Sequence, residues 1–157
     1  MAKSNSYISW DEYFMGVAIL SSLRSKDPST KVGACIVNEK KRIVGIGYNG
    51  LPYGCNDDEF PWERKGEFLD TKYPYVVHTE PNAILNSTTP LDNATLYVTL
   101  FPCNECAKLI IQSGIKEIVY MEDKYNGVDT DIASKKMLKS AGVVWRKVAT
   151  IKVGIEK

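Results

Sequence analysis

Residues 95–121 of this 157-residue chain, "TLYVTLFPCNECAKLIIQSGIKEIVYM", give the clearest indication of its fold class. Two runs rich in β-branched and aromatic residues, at 95–100 and 117–121, flank a segment at 104–113 that reads as a helix. Strands joined through a helical crossover run parallel, because the crossover carries the chain back to the edge where the first strand began. This stretch therefore predicts a βαβ unit inside an α/β fold.

The sequence on both sides of this unit extends the sheet. Ser9 and Glu12 fit a capping box ahead of an apolar stripe of helical spacing, and the polar "NEKKR" between two β-rich runs predicts a hairpin. We place helices at 10–24, 80–87 and 130–140, hairpin strands at 32–37 and 43–48, and a last strand in "VVWRKV". Together they predict a three-layer α/β/α fold with a mixed five-stranded sheet, an antiparallel hairpin followed by parallel strands, and helices on both faces.

Length and composition suit one domain spanning residues 1–157, since a chain of about 150 residues buries roughly two thirds of its surface. With 20 Lys and Arg against 19 Asp and Glu, the formal charge is +1, which disfavours binding to a long polynucleotide. No apolar run reaches the length of about 20 residues that spans a bilayer, and "MAKSNSYISW" lacks the apolar core of a signal peptide. We therefore expect a cytoplasmic protein with no membrane or nucleic-acid partner.

A long segment without strand or helix patterns separates the hairpin from the second half of the chain. Residues 49–78 are dense in glycine, proline and charged residues. Loops of that length inside a compact domain are usually functional. We expect this segment to shape or cover a site.

His78 is the only histidine in the chain, and Glu80 follows it by two residues. A single histidine after an apolar run is by itself most often a half-buried packing residue. Further along, "PCNEC" supplies Cys103 and Cys106, whose spacing lets two thiolates converge on one ion. Both groups fall where a loop enters a predicted helix, and a helix amino terminus favours ionised thiolates. His78, Cys103 and Cys106 are therefore candidate zinc ligands.

Three protein ligands leave the fourth tetrahedral position of a zinc ion open to water, which is typical of catalytic sites. Glu80 is placed to move protons between that water and a substrate. A closed structural site would need a fourth donor. The two other thiols are Cys35, predicted to be buried in a strand as a small hydrophobe, and Cys55 in the long loop, whose role stays open.

The combination of H-x-E with P-C-x-x-C is the signature of zinc-dependent nucleobase deaminases. Over roughly residues 10–147 the chain resembles the deoxycytidylate deaminases of the cytidine deaminase superfamily. The segments that carry this resemblance are "RSKDPSTKVGACIV", "GIGYNGLPYGC", "LDTKYPYVVHTEPNAI", "LFPCNECAKLIIQSGIKE" and "DKY". The resemblance implies a cytidine deaminase-like fold, one catalytic Zn²⁺ per subunit, and hydrolysis of dCMP to dUMP on the route to thymidylate.

By the same resemblance, Asn49 in "GYNG" would contact the sugar and the base, although an asparagine before a glycine is as typical of a turn. Thr30 or Val32 would line the base pocket. The backbone N–H of Thr79 would face the base carbonyl. Alanine is usual at this position, so the branched side chain of Thr79 would narrow the pocket. Pro81 is also unusual, and it is harmless in the first turn of a helix.

The substrate phosphate would need cationic or hydroxyl donors, which the segments "RSKD" and "DKY" offer. We expect Arg24 and Lys124 to contact the phosphate, with Tyr125 as a lid-like aromatic ring. Ser25 and Lys26 are further candidates in the same segments, and any of these side chains could instead be a solvated surface group.

Members of the family are typically hexamers that are activated by dCTP and inhibited by dTTP, with a regulatory nucleotide and Mg²⁺ near a loop resembling residues 49–78. A charged loop is also the ordinary state of a protein surface. The residues suited to a triphosphate and its metal are Asn56, Asp57, Asp58, Glu63, Arg64 and Lys65.

Three other functions stay open on the sequence. A tRNA or nucleic-acid deaminase would use the same zinc chemistry, against which the near-neutral charge argues. An enzyme that also accepts dCTP shares the same ligands, because the zinc centre contacts only the base. A zinc-stabilised binding module without catalysis would have no use for Glu80 beside the metal.

Overall fold

A computed structural model describes the whole chain, residues 1–157. The strands are β1 (Gly33–Val37), β2 (Ile43–Tyr48), β3 (Thr95–Leu100), β4 (Glu117–Glu122) and β5 (Val144–Lys147). The helices are α1 (Trp10–Ser22), α2 (Thr79–Leu85), α3 (Asn104–Ser113) and α4 (Asp129–Ser140). Single 3₁₀ turns at Asp57–Glu59 and Phe68–Asp70 are the regular structure within the long loop.

All five strands form one mixed sheet in the order β2-β1-β3-β4-β5. β1 runs antiparallel to both β2 and β3, whereas β3, β4 and β5 are parallel to one another. The predicted hairpin followed by parallel strands is confirmed. Because β1 opposes β3, the start of β1 lies at the same edge of the sheet as the carboxyl end of β3, where the Gly33 N–H donates to the Thr99 hydroxyl at 3.2 Å.

Element boundaries differ from the prediction by one or two residues at helix ends. α1 ends at Ser22 rather than at 24, because the backbone N–H groups of Leu23, Arg24 and Ser25 each donate to the carbonyl three residues earlier. Such bonds tighten and close a helix. The predicted capping box is present, with the Glu12 N–H donating to the Ser9 hydroxyl at 3.1 Å and the Ser9 N–H to the Glu12 carboxylate at 2.9 Å.

Helices cover both faces of the sheet, as predicted. One face packs against α1, and its cluster includes Phe14 and Ala18 with Cys35 and Val119 of the strands. The other face packs against α2, α3 and α4 through a larger cluster: Ala83, Ala107, Ile110 and Leu138 meet Ala34, Ile36, Leu96, Val98, Ile118 and Tyr120. Neighbouring residues of β1 and β3 alternate between the two clusters, as the period of a strand requires.

Several strand ends and helix starts lie together at one edge of the sheet. β3 leads directly into α3, and the long loop leads into α2 beside it. Ligands of open α/β sheets bind at the carboxyl ends of the strands, where such loops and helix starts converge. None of the four helices combines the length and the hydropathy needed to cross a membrane.

Candidate active site

Three side chains from two helix starts meet at this edge. His78 Nδ1 lies 3.6 Å from Cys103 Sγ and 3.4 Å from Cys106 Sγ, and the three ligand atoms all lie within 4.8 Å of one another. His78 is exposed to solvent, Cys103 is partly buried and Cys106 is buried. The cluster is thus open on the side of the imidazole and closed on the side of the core.

Local helix geometry explains this convergence. His78 is the residue before the first turn of α2, and Cys103 holds the same position before α3, each with extended backbone angles. Cys106 follows within the first turn of α3, so one turn brings its sulfur next to that of Cys103. Pro81 falls in the first turn of α2, where its missing N–H breaks no hydrogen bond.

The donor set fits a zinc ion. Zinc in proteins takes imidazole nitrogen at roughly 2.0–2.1 Å and thiolate sulfur at roughly 2.3 Å in tetrahedral geometry, which separates the nitrogen and sulfur ligands by about 3.5 Å. The His78–Cys103 and His78–Cys106 distances agree with that separation. One imidazole and two sulfurs also leave the fourth tetrahedral corner without a protein donor.

Proton sharing within the cluster points to the same conclusion. A hydrogen bond from Cys106 lowers the pKa of Cys103 to about 4, and the pKa of Cys106 is raised because its thiol donates to the Cys103 thiolate. The hydrogen bond to Cys103 raises the pKa of His78. A cation bound by these three donors would replace the protons they share, because metal ligands bind in their deprotonated form.

Glu80 lies in the first turn of α2 and is 5% exposed. Burial raises the pKa of Glu80 to about 7, while the nearby His78 opposes the shift. Glu80 is not part of the three-residue ligand cluster, although it lines the cavity into which the cluster opens. The structure therefore provides a carboxyl group beside the cluster and separate from its ligands.

A cavity of about 380 Å³ contains His78, Glu80 and Cys103 in its wall. Proteins hold small organic ligands in cavities of roughly 300–1,000 Å³. Of the residues predicted to contact a substrate, the structure brings Thr30, Asn49, Thr79 and Tyr125 to this wall, together with Val32.

Side-chain hydrogen bonds fix one wall of the cavity. Asn49 Oδ1 accepts from the Val32 N–H at 2.9 Å, and Asn49 Nδ2 donates to the Thr30 carbonyl at 2.9 Å. The Thr79 hydroxyl donates to the Val32 carbonyl at 2.9 Å. Asn49 is therefore buried and braces residues 30–32, and each of its polar groups retains capacity for one further partner.

Two cations predicted for the phosphate lie elsewhere. Arg24 is exposed and its guanidinium lies over the ring of Tyr48, 6.0 Å from the ring centroid. Lys124 donates to the hydroxyl of Thr30 at 3.3 Å and lies over the Tyr125 ring, in a neighbouring cavity on the far side of Thr30. Neither lines the cavity that contains the ligand cluster.

The residues predicted to bind a regulatory nucleotide divide into two groups. Asn56 caps the first 3₁₀ turn of the loop, and Asp57 in that turn forms an ion pair with Lys26. Glu63, Arg64 and Lys65 line a second, more open cavity of about 640 Å³. Arg64 and Tyr73 belong to the walls of both cavities. Asp58 lies in the same 3₁₀ turn as Asp57 and lines neither cavity.

Sequence reasoning missed a buried ion pair in the cavity wall. Lys72 Nζ lies 2.6 Å from Asp27 Oδ2, and the side chains are 9% and 1% exposed. Asp27 also accepts from the N–H groups of Ser29 and Thr30, and such a turn is signalled by Asp before Pro-Ser-Thr. No charge pattern distinguishes Lys72 from the surface lysines, so its burial was not predictable. Tyr73, Val76, Phe101 and Thr130 are further wall residues without a predicted role.

The model of the family described as "Cytidine and deoxycytidylate deaminase zinc-binding region" matches residues 8–122. The chain is 58% identical over 147 residues to the human protein "Deoxycytidylate deaminase", covering 92% of this chain and 83% of that protein. It is 55% identical over 152 residues to a "Probable deoxycytidylate deaminase" of Drosophila melanogaster, covering 92% and 75%. The crystal structure of the dCMP deaminase from the cyanophage S-TIM5 in complex with dCMP and dUMP is similar with a TM-score of 0.71 and 31% identity, over 87% of this chain and 95% of that chain.

Proposed function

Because the chain belongs to the cytidine and deoxycytidylate deaminase family, we propose that it is a zinc-dependent enzyme that hydrolyses dCMP to dUMP and ammonia. The observation that carries this proposal is the cluster of His78, Cys103 and Cys106 opening into a cavity that also contains Glu80. The relatives at more than half identity are named for this substrate, and the phage relative was solved with dCMP and dUMP bound.

The roles follow from the positions of the side chains. His78, Cys103 and Cys106 would hold the zinc ion, which when bound makes water a nucleophile near neutral pH. Glu80 would transfer two protons in turn: its carboxylate accepts one from the attacking water and delivers it to ring nitrogen 3, then accepts the proton of the hydroxyl added at ring carbon 4 and delivers it to the amino group, which leaves as ammonia. The Thr79 N–H faces the base carbonyl, while Asn49 holds the sugar and base with its remaining donor and acceptor.

A deamination assay tests the function directly. Zinc-loaded protein should release ammonia and form dUMP from dCMP, and the same assay with dCTP, CMP and deoxycytidine measures whether the enzyme discriminates by phosphate and sugar. Turnover of dCTP at a comparable kcat/KM would support the alternative of an enzyme that accepts both nucleotides. Absence of turnover with all four substrates would refute the proposal.

Regulation by nucleotides is the second part of the proposal. The cavity of about 640 Å³ lined by Glu63, Arg64 and Lys65 shares a wall with the catalytic cavity, so a ligand in one would contact residues that face the other. We expect dCTP to make the dCMP saturation curve less sigmoidal and dTTP to lower activity. A hyperbolic curve that neither nucleotide alters would refute the regulatory site.

The quaternary structure and the second metal complete the proposal. By resemblance to its relatives the chain forms a hexamer, and Mg²⁺ accompanies the regulatory triphosphate. Sedimentation with and without dCTP and Mg²⁺ measures both expectations, since a hexamer of a 17.6 kDa chain is easily separated from the monomer. Three expectations from the sequence stay predictions: that residues 1–157 form one domain, that the protein is cytoplasmic, and that its dUMP is used for thymidylate.

A further inference from the structure

We propose that Lys135 is a positioning residue for the deamination: it holds the loop between β4 and α4 so that Tyr125 stays in the wall of the cavity that contains the His78 cluster. This inference rests on the proposed function, and it assigns a role to a side chain of α4 that does not itself line the cavity. Lys135 therefore acts through the residues that it contacts and not on the substrate.

Lys135 uses all of its hydrogen-bond donors within the protein. A lysine ammonium group carries three N–H bonds. Its Nζ donates to Asp123 Oδ2 at 2.8 Å, to Asn126 Oδ1 at 3.0 Å and to Asp131 Oδ2 at 3.1 Å. Asp123 directly follows β4, Asn126 lies within the loop, and Asp131 lies in the first turn of α4. Lys135 thus joins both ends and the middle of one loop.

The Lys135 cluster, formed by Lys135, Asp123, Asn126 and Asp131, is partly shielded from water. The side chains of Lys135 and Asp123 are 22% and 17% exposed, and that of Asp131 is 6% exposed. Isolated surface ion pairs contribute little, whereas several charges that form one shielded network contribute more. Without the ammonium group, two carboxylates would lose their cation in this place. The cluster is therefore able to fix the loop.

Tyr125 lies between two residues of the Lys135 cluster. Asp123 precedes it by two residues, and Asn126 follows it directly. Within the loop the Asn126 N–H donates to the Asp123 carbonyl at 3.0 Å, and the Val128 N–H donates to the Tyr125 carbonyl at 3.1 Å. The Tyr125 side chain is 44% exposed, so packing encloses only part of it. The place of its ring in the cavity wall therefore depends on the backbone that Lys135 holds.

Two further wall residues adjoin the Lys135 cluster. Lys135 Nζ lies 4.7 Å from the centroid of the Phe101 ring, which is a cation–π contact. Thr130 directly precedes Asp131 in the first turn of α4. Phe101, Thr130 and Tyr125 all line the cavity. Lys135 thus supports one side of the cavity from outside it.

The experiment measures the affinity of zinc-loaded protein for dUMP by titration calorimetry. Lys135→Met keeps an unbranched side chain without charge or donors. It should lower the dUMP affinity by about 5- to 50-fold, a size typical of residues in one hydrogen-bond network, and raise KM for dCMP similarly. The kcat should stay within about twofold, because no group that contacts the reacting atoms is changed. Lys136→Met, the same change at the next and exposed residue of α4, is the matched control and should alter neither quantity.

A double-mutant cycle with Tyr125 separates positioning from a general loss of structure. In Tyr125→Ala no ring is left for Lys135 to position, so the further change Lys135→Met should cost at most about twofold in dUMP affinity. Losses of the same size with and without the Tyr125 ring would overturn the proposal. Unchanged dUMP affinity in Lys135→Met would overturn it as well.

A second variant keeps the test valid if Lys135→Met alone fails to fold. Asp131→Asn with Lys135→Met removes one charge of each sign, and the asparagine oxygen can still accept from the Gly127 N–H, as Asp131 does at 2.9 Å. This double variant should lose as much dUMP affinity as Lys135→Met, and unaltered affinity would contradict the role of Lys135. Circular dichroism and zinc content verify that each variant is folded and loaded.

The proposed function and the role of Lys135 can fail separately. If the unaltered zinc-loaded protein binds dUMP but does not deaminate dCMP, the proposed function is wrong, whereas the dUMP affinities of the cycle still test the positioning of Tyr125. If the unaltered protein deaminates dCMP and the cycle shows no coupling between Lys135 and Tyr125, only the positioning role is wrong.

Discussion

At the scale of single residues, position along the helix determines what each side chain can do. His78 and Cys103 both stand immediately before a helix, so their side chains project from helix starts rather than from helix sides. Glu80, two residues into α2, is buried beside them without belonging to the ligand cluster. Three ligands leave a zinc ion one open position, and a free carboxyl beside it can move protons, so these residues fit a hydrolytic zinc site.

Glu80→Ala should separate metal binding from turnover. We expect zinc content to stay at one ion per chain, because the three ligands are untouched, while kcat for dCMP falls by about 10²- to 10⁴-fold through loss of proton transfer. Zinc analysis and steady-state kinetics measure the two effects. Glu105→Ala removes a 72% exposed carboxylate from the motif "PCNEC" and should change neither. Near-normal kcat in Glu80→Ala would contradict the role of Glu80.

Thr79→Val tests the hydroxyl that holds Val32. The buried Thr79 hydroxyl donates to the Val32 carbonyl at 2.9 Å, and valine has the same shape without the donor. We expect the free energy of unfolding in urea to fall by about 1–3 kcal/mol, since a carbonyl loses its partner. Thr79→Ser keeps the hydroxyl and should lose less. Equal stability of Thr79→Val and the unaltered protein would contradict this contact.

At the scale of elements, the placement of α2 depends on the absence of side chains in β2. A Cβ atom at Gly47 would lie 2.5 Å from the Ala83 nitrogen and 2.9 Å from the Thr79 carbonyl oxygen. A Cβ atom at Gly45 would lie 2.7 Å from the Ala83 carbonyl oxygen. The helix that begins next to His78 therefore rests directly on the backbone of the hairpin.

Gly47→Ala should displace α2 from the sheet. The neighbouring atoms are backbone and cannot rotate away, so we expect a loss of roughly 1–3 kcal/mol in the free energy of unfolding, typical of overpacking. Because His78 precedes α2, zinc affinity should fall as well. Gly154→Ala, where a Cβ atom would meet no atom within 4 Å, is the control. Unfolding by urea and zinc competition with a chelator measure both effects, and unaltered zinc affinity would show that α2 has not moved.

At the scale of the whole molecule, one ion pair joins the first helix to the last strand. Arg146 in β5 donates to both carboxylate oxygens of Asp11 in α1 at 2.7 and 2.8 Å, and the Tyr97 hydroxyl donates to the same carboxylate at 2.6 Å. The pair spans 135 residues of sequence. The ion pair holds α1 against the face of the sheet that this helix covers.

Asp11→Asn should reduce stability in a pH-dependent way. The hydrogen bonds from Arg146 lower the pKa of Asp11 to about 2, below its value of 3.8 in an unfolded chain. A lowered pKa contributes stability that is fully present above about pH 4 and is lost as the pH falls toward 2. Since the Asp11–Arg146 pair is partly exposed, we expect the free energy of unfolding of Asp11→Asn to be about 1 kcal/mol below that of the unaltered protein at pH 7.

Urea unfolding at a series of pH values measures this difference. The difference in the free energy of unfolding between the unaltered protein and Asp11→Asn should become smaller as the pH falls from about 4 to 2. Glu39→Gln, an exposed residue of the hairpin turn without an ion pair, is the control and should leave stability unaltered at neutral pH. A gap of constant size across this range would contradict the coupling of Asp11 to Arg146.

Local sequence patterns predicted the antiparallel hairpin followed by parallel strands, the helices and the three candidate metal ligands. Periodicity identified β3 and α3 to the residue, because local burial patterns repeat along a strand or helix. The spacing of Cys103 and Cys106 indicated a shared ion, since one helical turn is a local geometry that needs no tertiary information.

Which distant side chains share the cavity wall depends on how the chain packs in three dimensions. Lys72 lies in the long loop and Asp27 in the segment between α1 and β1, 45 residues away, and the two meet only in the folded chain. Arg64 borders the cavity, whereas Arg24 and Lys124 do not, although all three are basic residues near recognisable motifs. Charge and residue type are local properties, but proximity across a loop depends on packing contacts that no periodic pattern encodes.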